Sequence, residues 1–451
     1  MPPDARVSAE PLPGETTTDV VIVGAGLTGL WTAYYLAVAD PALRIAVLDA
    51  ATIGFGASGR NGGWCSGLLP MSLSEMSERH GRYGAVAMQR AMHDTLDEVA
   101  RVLSVEGADA DFRHAGTLTL ARTPAQEERL RADLAEAQRF GFGEEDLRWL
   151  APGEVGARCA ATNVRGALFS PHCAVVHPLR LVHAVAAAAA ARGVQLYERT
   201  RVSAVRPRAV DTEHGKVRAE VVVLATEAYT VELPGRRREL VPLYSLMVAT
   251  DPLNDEQWSS IGLAGRETFS DGRHAIIYGQ RTADGRLAFG GRGAPYHFGS
   301  RIDGRFDTDE RIRGHLVGAA RELFPVLGDV PFPYHWGGPL GVPRDWHAAV
   351  RFELGTRMAS AGGYVGDGVA TANLAGRTLA HLITGQESEL CDLPWVGYHS
   401  RPWEREPLRW IGVNAARVAV SRADRAERSA GRAAALRAAC WRRALTALTG
   451  R

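Results

Sequence analysis

The stretch DVVIVGAGLTGLWTAYYLAVADPALRIAVLDA, residues 19–50, contains the pattern from which the fold can be predicted. Its short apolar run, VVIV after Asp19, consists of β-branched residues, which predicts a buried parallel strand. The turn GAGLTG follows and opens a helical pattern, and RIAVLDA predicts a second buried strand. The stretch therefore has the form of a β-α-β unit of about 30 residues.

The turn of this unit has the spacing G-x-G-x-x-G and is followed by an acid, Asp49, at the end of the second strand. A strand before the turn, a helix after it and an acid about 20 residues further on are the context that dinucleotide binding requires. Gly24 allows the tight turn, Gly26 lets the backbone approach a pyrophosphate, and Gly29 lets helix and strand pack closely. Asp49 is suited to accept hydrogen bonds from a ribose, which leaves NAD and FAD as candidates.

Composition and charge describe an ordinary globular protein. The chain has 451 residues, of which 46% are hydrophobic and 23% charged. A net charge of +1 gives no general electrostatic reason to expect a nucleic acid or an anionic membrane as partner. No run of about 18 apolar residues predicts a transmembrane helix. The polar N-terminus has no apolar core of a signal peptide, and five scattered cysteines suit a reducing compartment, so we expect a cytoplasmic protein.

Strand-helix-strand patterns return in the middle and at the end of the chain, with antiparallel material between them. This alternation predicts an α/β fold in which a doubly wound cofactor domain is interleaved with an α+β substrate domain on a mixed, mostly antiparallel sheet. The predicted segments are a flexible N-terminal tail (1–16), the cofactor domain (17–75, 150–232 and 340–400), the substrate domain (76–149 and 233–339) and a helical, arginine-rich C-terminal tail (401–451).

A glycine-rich loop, GASGRNGGWCSG at residues 56–67, follows the β-α-β unit. Such a loop is either a slack surface linker or a loop wrapped against a ligand. Trp64 and the apolar residues after it do not suit a solvated linker, so we expect a ligand-binding loop.

The segment from Asp49 through this loop resembles the corresponding segment of the FAD-dependent D-amino-acid oxidase, glycine oxidase and sarcosine oxidase superfamily, most of all its gamma-glutamylputrescine oxidase-like branch. VVVLATEAYT (221–230) and GGYVGDGVATANLAG (362–376) are similar to the family's second strand-turn beside FAD and to its C-terminal flavin-contacting turn. The resemblance spans roughly residues 17–400 and implies FAD as cofactor.

The motif and the resemblance together give the residues expected to bind FAD. They are Gly24, Ala25, Gly26, Leu27, Thr28, Gly29, Asp49, Ala50, Ala57, Ser58, Arg60, Asn61, Gly62, Gly63, Val202, Ala225, Thr226, Gly363, Gly366, Asp367, Gly368 and Val369. In relatives with a covalent flavin the linking cysteine lies in the segment equivalent to 340–344. That segment has no cysteine here, so we expect non-covalent FAD.

The resemblance implies oxidation of the C–N bond of an amine: a primary or secondary amine, a polyamine derivative or an amino acid. A hydride would pass to flavin N5, the imine would hydrolyse, and the electrons would go to O2 or to a carrier. The amine must be neutral to react, so no general base is obligatory. The alternative is a flavoprotein subunit or assembly factor without independent turnover. The sequence does not indicate which oligomeric state the protein adopts.

Three positions depart from the family pattern. Asp367 stands where many relatives carry a histidine. Leu340 takes the place of an arginine that holds the substrate carboxylate in amino-acid-oxidising relatives, which favours a simple amine; Arg344 is either a substitute for it or a surface residue. Ala288 takes the place of an oxygen-activating lysine, so that either Arg292 or His297 supplies positive charge or oxygen is not the acceptor.

Five residues are candidates for the substrate pocket, because aromatic rings form cages for cationic amines. Ordinary sheet packing is an equally compatible interpretation of each. The candidates are Arg292, Trp336, Tyr244, Tyr278 and Trp64.

Four residues resemble a metal-ligand cluster: His172, Cys173, His177 and His183. Their spacing matches no standard zinc pattern, so we predict no metal. Cys65 is close to the flavin segment in sequence, and we expect it to be a buried structural thiol.

Overall fold

The computed structural model describes residues 6–428, in which two eight-stranded sheets and one small sheet are connected by helices. The strands are β1 (Thr16–Val23), β2 (Ile45–Leu48), β3 (Trp64–Ser66), β4 (Arg113–His114), β5 (Thr117–Ala121), β6 (Arg148–Leu150), β7 (Gly166–Ser170), β8 (Cys173–Val175), β9 (Gln195–Tyr197), β10 (Val202–Arg206), β11 (Ala209–Thr212), β12 (Gly215–Leu224), β13 (Val241–Ala249), β14 (Thr268–Asp271), β15 (Ile277–Arg281), β16 (Leu287–Arg292), β17 (Tyr334–Val342), β18 (Ala349–Glu353) and β19 (Met358–Gly362).

The helices connect these strands or flank them. They are α1 (Leu27–Ala39), α2 (Ala57–Arg60), α3 (Leu73–Val105), α4 (Pro124–Phe140), α5 (Pro152–Gly156), α6 (Pro178–Ala190), α7 (Asp255–Ile261), α8 (Glu310–Leu323), α9 (Gly368–Thr384) and α10 (Leu408–Arg428).

The first sheet holds the β-α-β unit. Its strands follow the order β10-β11-β12-β1-β2-β9, and β19 joins β12 beside β18. The pairs of β1 with β12 and β2, of β2 with β9 and of β12 with β19 are parallel. All four residues of β2 are buried, which explains the unbroken apolar pattern. The expected α/β class is confirmed.

The two faces of this sheet are covered differently. Helices α1, α6 and α9 cover one face, where Leu30 and Trp31 are fully buried. Strands β10 and β11 and the segment before β1 supply side chains such as Val210 and Leu12 to the core on the other face.

The second sheet follows the order β17-β13-β16-β15-β14-β5-β7-β6. Its pairs are antiparallel except for the parallel pair of β14 with β5. Phe269, Phe289 and Phe324 are fully buried in its core, which also includes side chains of α7 and α8. The mixed, mostly antiparallel sheet is therefore as predicted. Helix α4 packs beside it and begins at Pro124, after Thr123, whose side chain accepts the N–H of Gln126.

The predicted segment boundaries need correction in this sheet. Strand β7 belongs to the second sheet although it lies inside the segment 150–232 that was expected in the cofactor domain. Strand β17 runs across the expected boundary at 340. Strands pair through backbone groups, so the sequence of β7 does not identify its partner strand. The sheet to which β7 belongs could therefore not be predicted from the sequence.

The two predicted tails have different outcomes. Over residues 6–15 the N-terminal tail is packed rather than flexible: Leu12 is buried and donates its N–H to Thr200 Oγ1 at 3.0 Å. The C-terminal tail is helical over α10, as predicted, and residues 429–451 lie outside the described part of the chain. Among the residues described, no helix combines the length and the apolar character needed to cross a membrane.

Candidate active site

A cavity of about 320 Å³, here called the nucleotide chamber, lies at the carboxyl end of β1 beside the N-terminus of α1. Most of the predicted cofactor residues line it. These are Gly24, Gly26, Leu27, Thr28, Asp49, Ala50, Ala57, Ser58, Asn61, Val202, Ala225, Thr226, Gly366, Gly368 and Val369.

The turn that begins α1 folds as it does because three of its residues have no side chain. Gly24 has a φ of +109°, and a Cβ on it would lie 2.5 Å from the carbonyl oxygen of Ala225. A Cβ on Gly29 would lie 2.0 Å from the carbonyl oxygen of Gly24, so helix and strand pack as closely as expected. A Cβ on Gly26 would lie 2.9 Å from Ser58 Oγ. The turn thus leaves backbone where a ligand can approach.

Polar groups at this turn suit the ribose and pyrophosphate of a dinucleotide. Asp49 accepts N–H groups of Ala25 and Ala51, each at 2.8 Å, and burial raises the pKa of Asp49. Leu27 donates its N–H to Ser58 Oγ at 2.8 Å at the start of α1. The helix N-terminus favours a negative charge here, and the carboxylate keeps lone pairs for hydroxyl groups. These residues fit a dinucleotide.

A second cavity of about 380 Å³, the flavin-side chamber, continues from the nucleotide chamber and shares Ala57, Asn61, Leu340, Gly366 and Val369 with it. Its walls include Trp64, whose buried Nε1 has no hydrogen-bond partner among the described residues. A buried donor without an acceptor is costly, so this chamber also suits a bound group with polar atoms.

The glycine-rich loop lies between the chambers and the second sheet. A Cβ on Gly62 would lie 2.6 Å from Tyr278 Cε2, and a Cβ on Gly63 would lie 2.1 Å from Gln280 Nε2. Gln280 Nε2 also donates to the carbonyl oxygen of Gly62 at 2.6 Å. The loop is therefore held against the substrate sheet, and the alternative of a slack linker is wrong. Its other side lines both chambers.

Arg60 connects this loop to the second sheet. Its Nη1 forms an ion pair with Asp307 at 2.7 Å, and its Nη2 donates to Tyr229 at 3.1 Å. Trp336 donates its Nε1 to the Arg60 carbonyl oxygen at 3.0 Å. Arg60 lines the flavin-side chamber and also fixes the loop.

Asp367 lines the flavin-side chamber at the N-terminus of α9. Burial raises the pKa of its carboxyl to about 6, and the positive charge of Arg292 opposes this rise. No ion pair joins it to a described cation, and Arg292 instead donates its Nη2 to the carbonyl oxygen of Val365. The chamber therefore contains a half-buried carboxyl group that is free to contact a ligand.

The remaining predicted pocket residues are only partly brought together. Trp64, Tyr278 and Arg292 line the flavin-side chamber. Tyr278 donates to or accepts from Ser245 Oγ at 2.9 Å, and burial raises its pKa. Tyr244 does not line this chamber but lines a third cavity of about 700 Å³ next to it, here called the α10 chamber. Trp336 lines none of the three, because its indole points to the Arg60 backbone.

Seven predicted cofactor residues do not line the nucleotide chamber. Arg60, Gly62 and Asp367 line the flavin-side chamber instead. The other four line neither of these two chambers: Ala25, Gly29, Gly63 and Gly363.

Glu227 is a residue that the sequence reasoning missed. Its carboxylate lies in the nucleotide chamber and accepts the N–H of Gly341 at 2.6 Å and that of Gly363 at 3.0 Å. Burial raises its pKa, and these N–H groups oppose the rise. It thus ties β17 to the turn after β19. An acid directly after the apolar strand β12 was the available signal.

Trp346 was also missed. It lines the flavin-side chamber and the α10 chamber, and the Arg292 guanidinium lies 5.9 Å from its ring centre. It lies in a loop without a motif, so it could not be identified from sequence patterns.

Three residues were expected as possible replacements for the family's missing arginine and lysine, and they lie in different parts of the structure. Arg344 forms an ion pair with Glu404 at 3.0 Å, so its charge is already matched. His297 stacks on Phe306 with ring centres 3.4 Å apart and lines none of the three cavities. Arg292 is the one of the three that reaches the flavin-side chamber. Leu340 lies beside it.

The four residues that resemble a metal cluster do not converge. Cys173 lies near Thr268, His177 caps α6, and His183 is buried in the first core. His172 contacts Asp146 at 2.8 Å and stacks on His93 with ring centres 3.5 Å apart. His93, Asp146 and His172 bring ligand atoms within 4.8 Å of one another. The rings of His93 and His172 are stacked in parallel, however, so their in-plane lone pairs do not point at one metal position.

Cys65 is fully buried in β3, and burial raises the pKa of its thiol. A protonated, buried thiol is unreactive. The expectation of a structural cysteine thus agrees with its place in the fold.

Comparison with known proteins identifies the family. The family described as FAD dependent oxidoreductase (DAO) matches residues 19–382. The probable oxidoreductase OrdL of Rhizobium meliloti is 28% identical over 384 residues, 84% of this chain and 86% of that protein. The gamma-glutamylputrescine oxidoreductase of Escherichia coli is 29% identical over 405 residues, 88% of this chain and 91% of that protein.

A solved structure shares the fold. Glycine oxidase from Geobacillus kaustophilus has a TM-score of 0.71 at 22% identity, covering 85% of this chain and 99% of its own. At this identity the similarity concerns the fold alone. The family match covers most of the chain and includes the turn, the loop and α9. The chain belongs to the DAO family of FAD-dependent oxidoreductases.

Proposed function

We propose that the chain oxidises the C–N bond of an amine, with FAD held non-covalently across the nucleotide and flavin-side chambers. The observation that carries the proposal is Asp367, a half-buried carboxyl group without an ion-pair partner among the described residues, lining a chamber with aromatic walls. Relatives named for amine or amino-acid substrates support it, among them gamma-glutamylputrescine oxidoreductase and 4-methylaminobutanoate oxidase.

The chain's own residues would hold the cofactor by backbone and carboxylate groups. Asp49 faces the ribose position, and the N-terminus of α1 with Ser58 faces the pyrophosphate position. The N-terminus of α9 lies beside the flavin-side chamber and favours negative charge there. When bound, FAD would accept the hydride from the carbon next to nitrogen and pass the electrons on to O2 or a carrier.

Asp367 would act on the substrate amine. An ammonium ion enters a chamber where Trp64, Tyr278 and Trp346 offer ring faces and exclude water. A carboxylate attracts the cation, and a carboxyl group whose pKa is raised to about 6 is a better proton acceptor than an exposed one. Transfer of the N–H proton to Asp367 leaves the neutral amine that the oxidation requires.

Leu340 favours an amine without a carboxylate on the reacting carbon. An apolar side chain cannot form the bidentate contact that an arginine makes with a carboxylate. The other candidate, a flavoprotein without turnover, has no observation in its favour: no comparison supports it, and the flavin-side chamber has room and polar groups for a substrate.

An anaerobic absorbance titration of the purified holoprotein tests the proposal. The panel contains polyamines and their acyl derivatives, N-methylated glycines, and D- and L-amino acids. We expect one class to bleach the flavin band and admission of air to show whether O2 restores it. A bound flavin that no amine in the panel reduces would contradict the proposal.

A further inference from the structure

The α10 chamber has two walls of different origin. One wall comes from β13, β17 and the segment that follows β16, with Leu243, Val342 and Ala294 lining it. The other wall is helix α10, which supplies Val413 and Val420. At about 700 Å³, the chamber is of the size that binds small molecules.

The chamber adjoins the flavin-side chamber. The two share Ile276, Arg292, Leu340 and Trp346 as lining residues. These four residues therefore stand at the boundary between the α10 chamber and the chamber that contains Asp367.

Four arginines line the α10 chamber, and two of them have no carboxylate partner. Arg344 pairs with Glu404 at 3.0 Å, and Arg409 pairs with Glu406 at 3.1 Å. Arg292 and Arg417 form no ion pair with any carboxylate of the described residues. The charges of Arg344 and Arg409 are balanced by their carboxylate partners. The positive charge that remains in the chamber is therefore that of Arg292 and Arg417.

Arg417 is the more exceptional of the two. Among the described residues, its Nη1 reaches only the Gly293 carbonyl oxygen, at 3.4 Å, and its Nε is inaccessible to solvent and has no hydrogen-bond partner. Burial, together with the charge of Arg311, lowers its pKa. A half-buried guanidinium with an unsatisfied N–H group is costly, and an anion in the chamber would relieve that cost.

Arg417 is also on a fixed wall. Asp424, on the same helix, accepts the N–H groups of His274 and Ala275 at 2.7 and 2.8 Å. Glu427 pairs with Arg129 at 2.7 Å. Helix α10 is thereby fastened to the loop that also lines the flavin-side chamber, so the guanidinium is held in position over the cavity.

The helix is outside the part of the chain that defines the family. The family match ends at residue 382, and α10 begins at Leu408. This wall therefore lies outside the residues that the family model matches, and it is suited to set a specificity particular to this chain.

We propose that the α10 chamber binds a carboxylate at the far end of the substrate, held by Arg417 and Arg292, while the amine reacts beside Asp367. The substrate is then an amine whose chain carries a carboxylate several bonds from the reacting carbon. This inference rests on the proposed amine oxidation and adds the substrate's second charge.

The test compares matched substrates on the holoenzyme. Straight-chain ω-amino carboxylates of increasing length are each paired with the amide of the same acid, and flavin reduction is followed anaerobically. Wild type is expected to prefer the carboxylate of the best length by roughly 10- to 100-fold in kcat/KM, as for loss of a charged hydrogen bond. Arg417→Gln should remove most of this preference by raising KM for the acid and not for the amide.

Two further variants keep the result interpretable. Arg417→Lys retains the charge and should keep part of the preference. Arg422→Gln removes an exposed arginine from the same helix and does not line the chamber, so the preference should persist. A direct binding readout accompanies them: the flavin absorbance change on titration with unreactive straight-chain carboxylates, or with inorganic phosphate, should weaken in Arg417→Gln.

The outcomes separate the two proposals. If amines reduce the flavin but acid and amide react equally in wild type, or Arg417→Gln keeps the preference, the carboxylate site is wrong while amine oxidation stands. If phosphate binds at Arg417 and carboxylates do not, the chamber's anion is not a carboxylate and the inference is also overturned. If no amine reduces the flavin, the proposed function itself fails.

Discussion

The nucleotide chamber and the flavin-side chamber share five residues, yet different parts of the fold form them. The nucleotide chamber lies mainly among segments that follow strands β1, β2, β9, β12 and β19 of the first sheet, and glycines at its turns leave no room for a Cβ. The flavin-side chamber is lined by residues such as Trp64, Tyr278, Arg292 and Asp367, which come from the small sheet, the second sheet and the turn before α9.

The two chambers are therefore expected to respond to different substitutions. At the glycine turns of the nucleotide chamber, an added Cβ should disrupt cofactor binding. In the flavin-side chamber, loss of a single functional group should change the reaction and leave the cofactor bound. The following substitutions test this contrast, from the largest expected effect to the smallest.

Gly29→Ala should have the largest effect. The new Cβ would lie 2.0 Å from the carbonyl oxygen of Gly24, and backbone cannot move aside as a flexible side chain can. We expect loss of bound FAD and a decrease of at least about 3 kcal/mol in the free energy of unfolding. The ratio of flavin to protein absorbance and urea denaturation measure the two effects.

Gly318→Ala is the matched control, since Gly318 is also helical but has open space around it. It should stabilise the protein by about 0.4–1 kcal/mol. If Gly29→Ala retained full flavin content, the importance of backbone at this turn would be refuted.

Asp367→Asn should keep FAD and lower kcat/KM for the best amine by about 100-fold, the lower range for loss of a positioned proton acceptor. Burial raises the pKa of Asp367 to about 6, and the positive charge of Arg292 opposes this rise. The negative charge of Asp367 in turn raises the pKa of Tyr278 and that of Cys173. Below a pH of about 6 the carboxyl of Asp367 is protonated and cannot accept the amine's proton. Wild-type kcat/KM should therefore fall as the pH drops through about 6.

A pH profile of both proteins is the measurement, and the acid limb near pH 6 should be missing in Asp367→Asn. As a control, Asp284→Asn, in the exposed turn between β15 and β16, should leave both the acid limb of the pH profile and the value of kcat/KM unchanged. An acid limb that persists in Asp367→Asn would assign it to another group.

Glu227→Gln should have an intermediate effect. Both carboxylate oxygens accept backbone N–H groups, and the amide of glutamine cannot accept at its nitrogen. We expect a decrease of about 1–3 kcal/mol in the free energy of unfolding and weaker FAD retention. Thermal unfolding of holoprotein and apoprotein, with exposed Glu220→Gln as control, would detect it; equal stability of the two variants would exclude the tie between β17 and β19.

Two tryptophans provide the smallest and sharpest contrast. Trp346→Phe should raise KM by about 2- to 10-fold, because Trp346 lines both substrate-side cavities and aromatic contacts contribute roughly 0.5–1.5 kcal/mol. Trp336→Phe should leave KM within about twofold and cost about 1 kcal/mol of stability through its lost bond to Arg60. Steady-state kinetics and denaturation distinguish them, and the reverse pattern would restore Trp336 as a pocket residue.

The sequence predicted the elements of the fold well where the pattern is local. Strands β1 and β2, helix α1 and the positions of Gly24 and Asp49 follow from hydrophobic period, glycine spacing and one acid. It failed where partners are distant: β7 was assigned to the wrong sheet, the segment 6–15 was expected to be flexible, and Trp336 was expected in a pocket. Side-chain direction and strand partner are set by packing between segments far apart in the chain.

The βαβ unit and a dinucleotide site could be predicted from the sequence alone, because such a site follows from nearby residues with fixed backbone requirements, and the family resemblance then selected FAD over NAD. Which charges remain unmatched could be learned only from the folded chain. The tertiary structure paired Arg344 with Glu404, left Asp367 and Arg417 without ion-pair partners among the described residues, and brought α10 over the cavity next to the flavin-side chamber. Charge pairing depends on distances in space, and these arise only when the chain is folded.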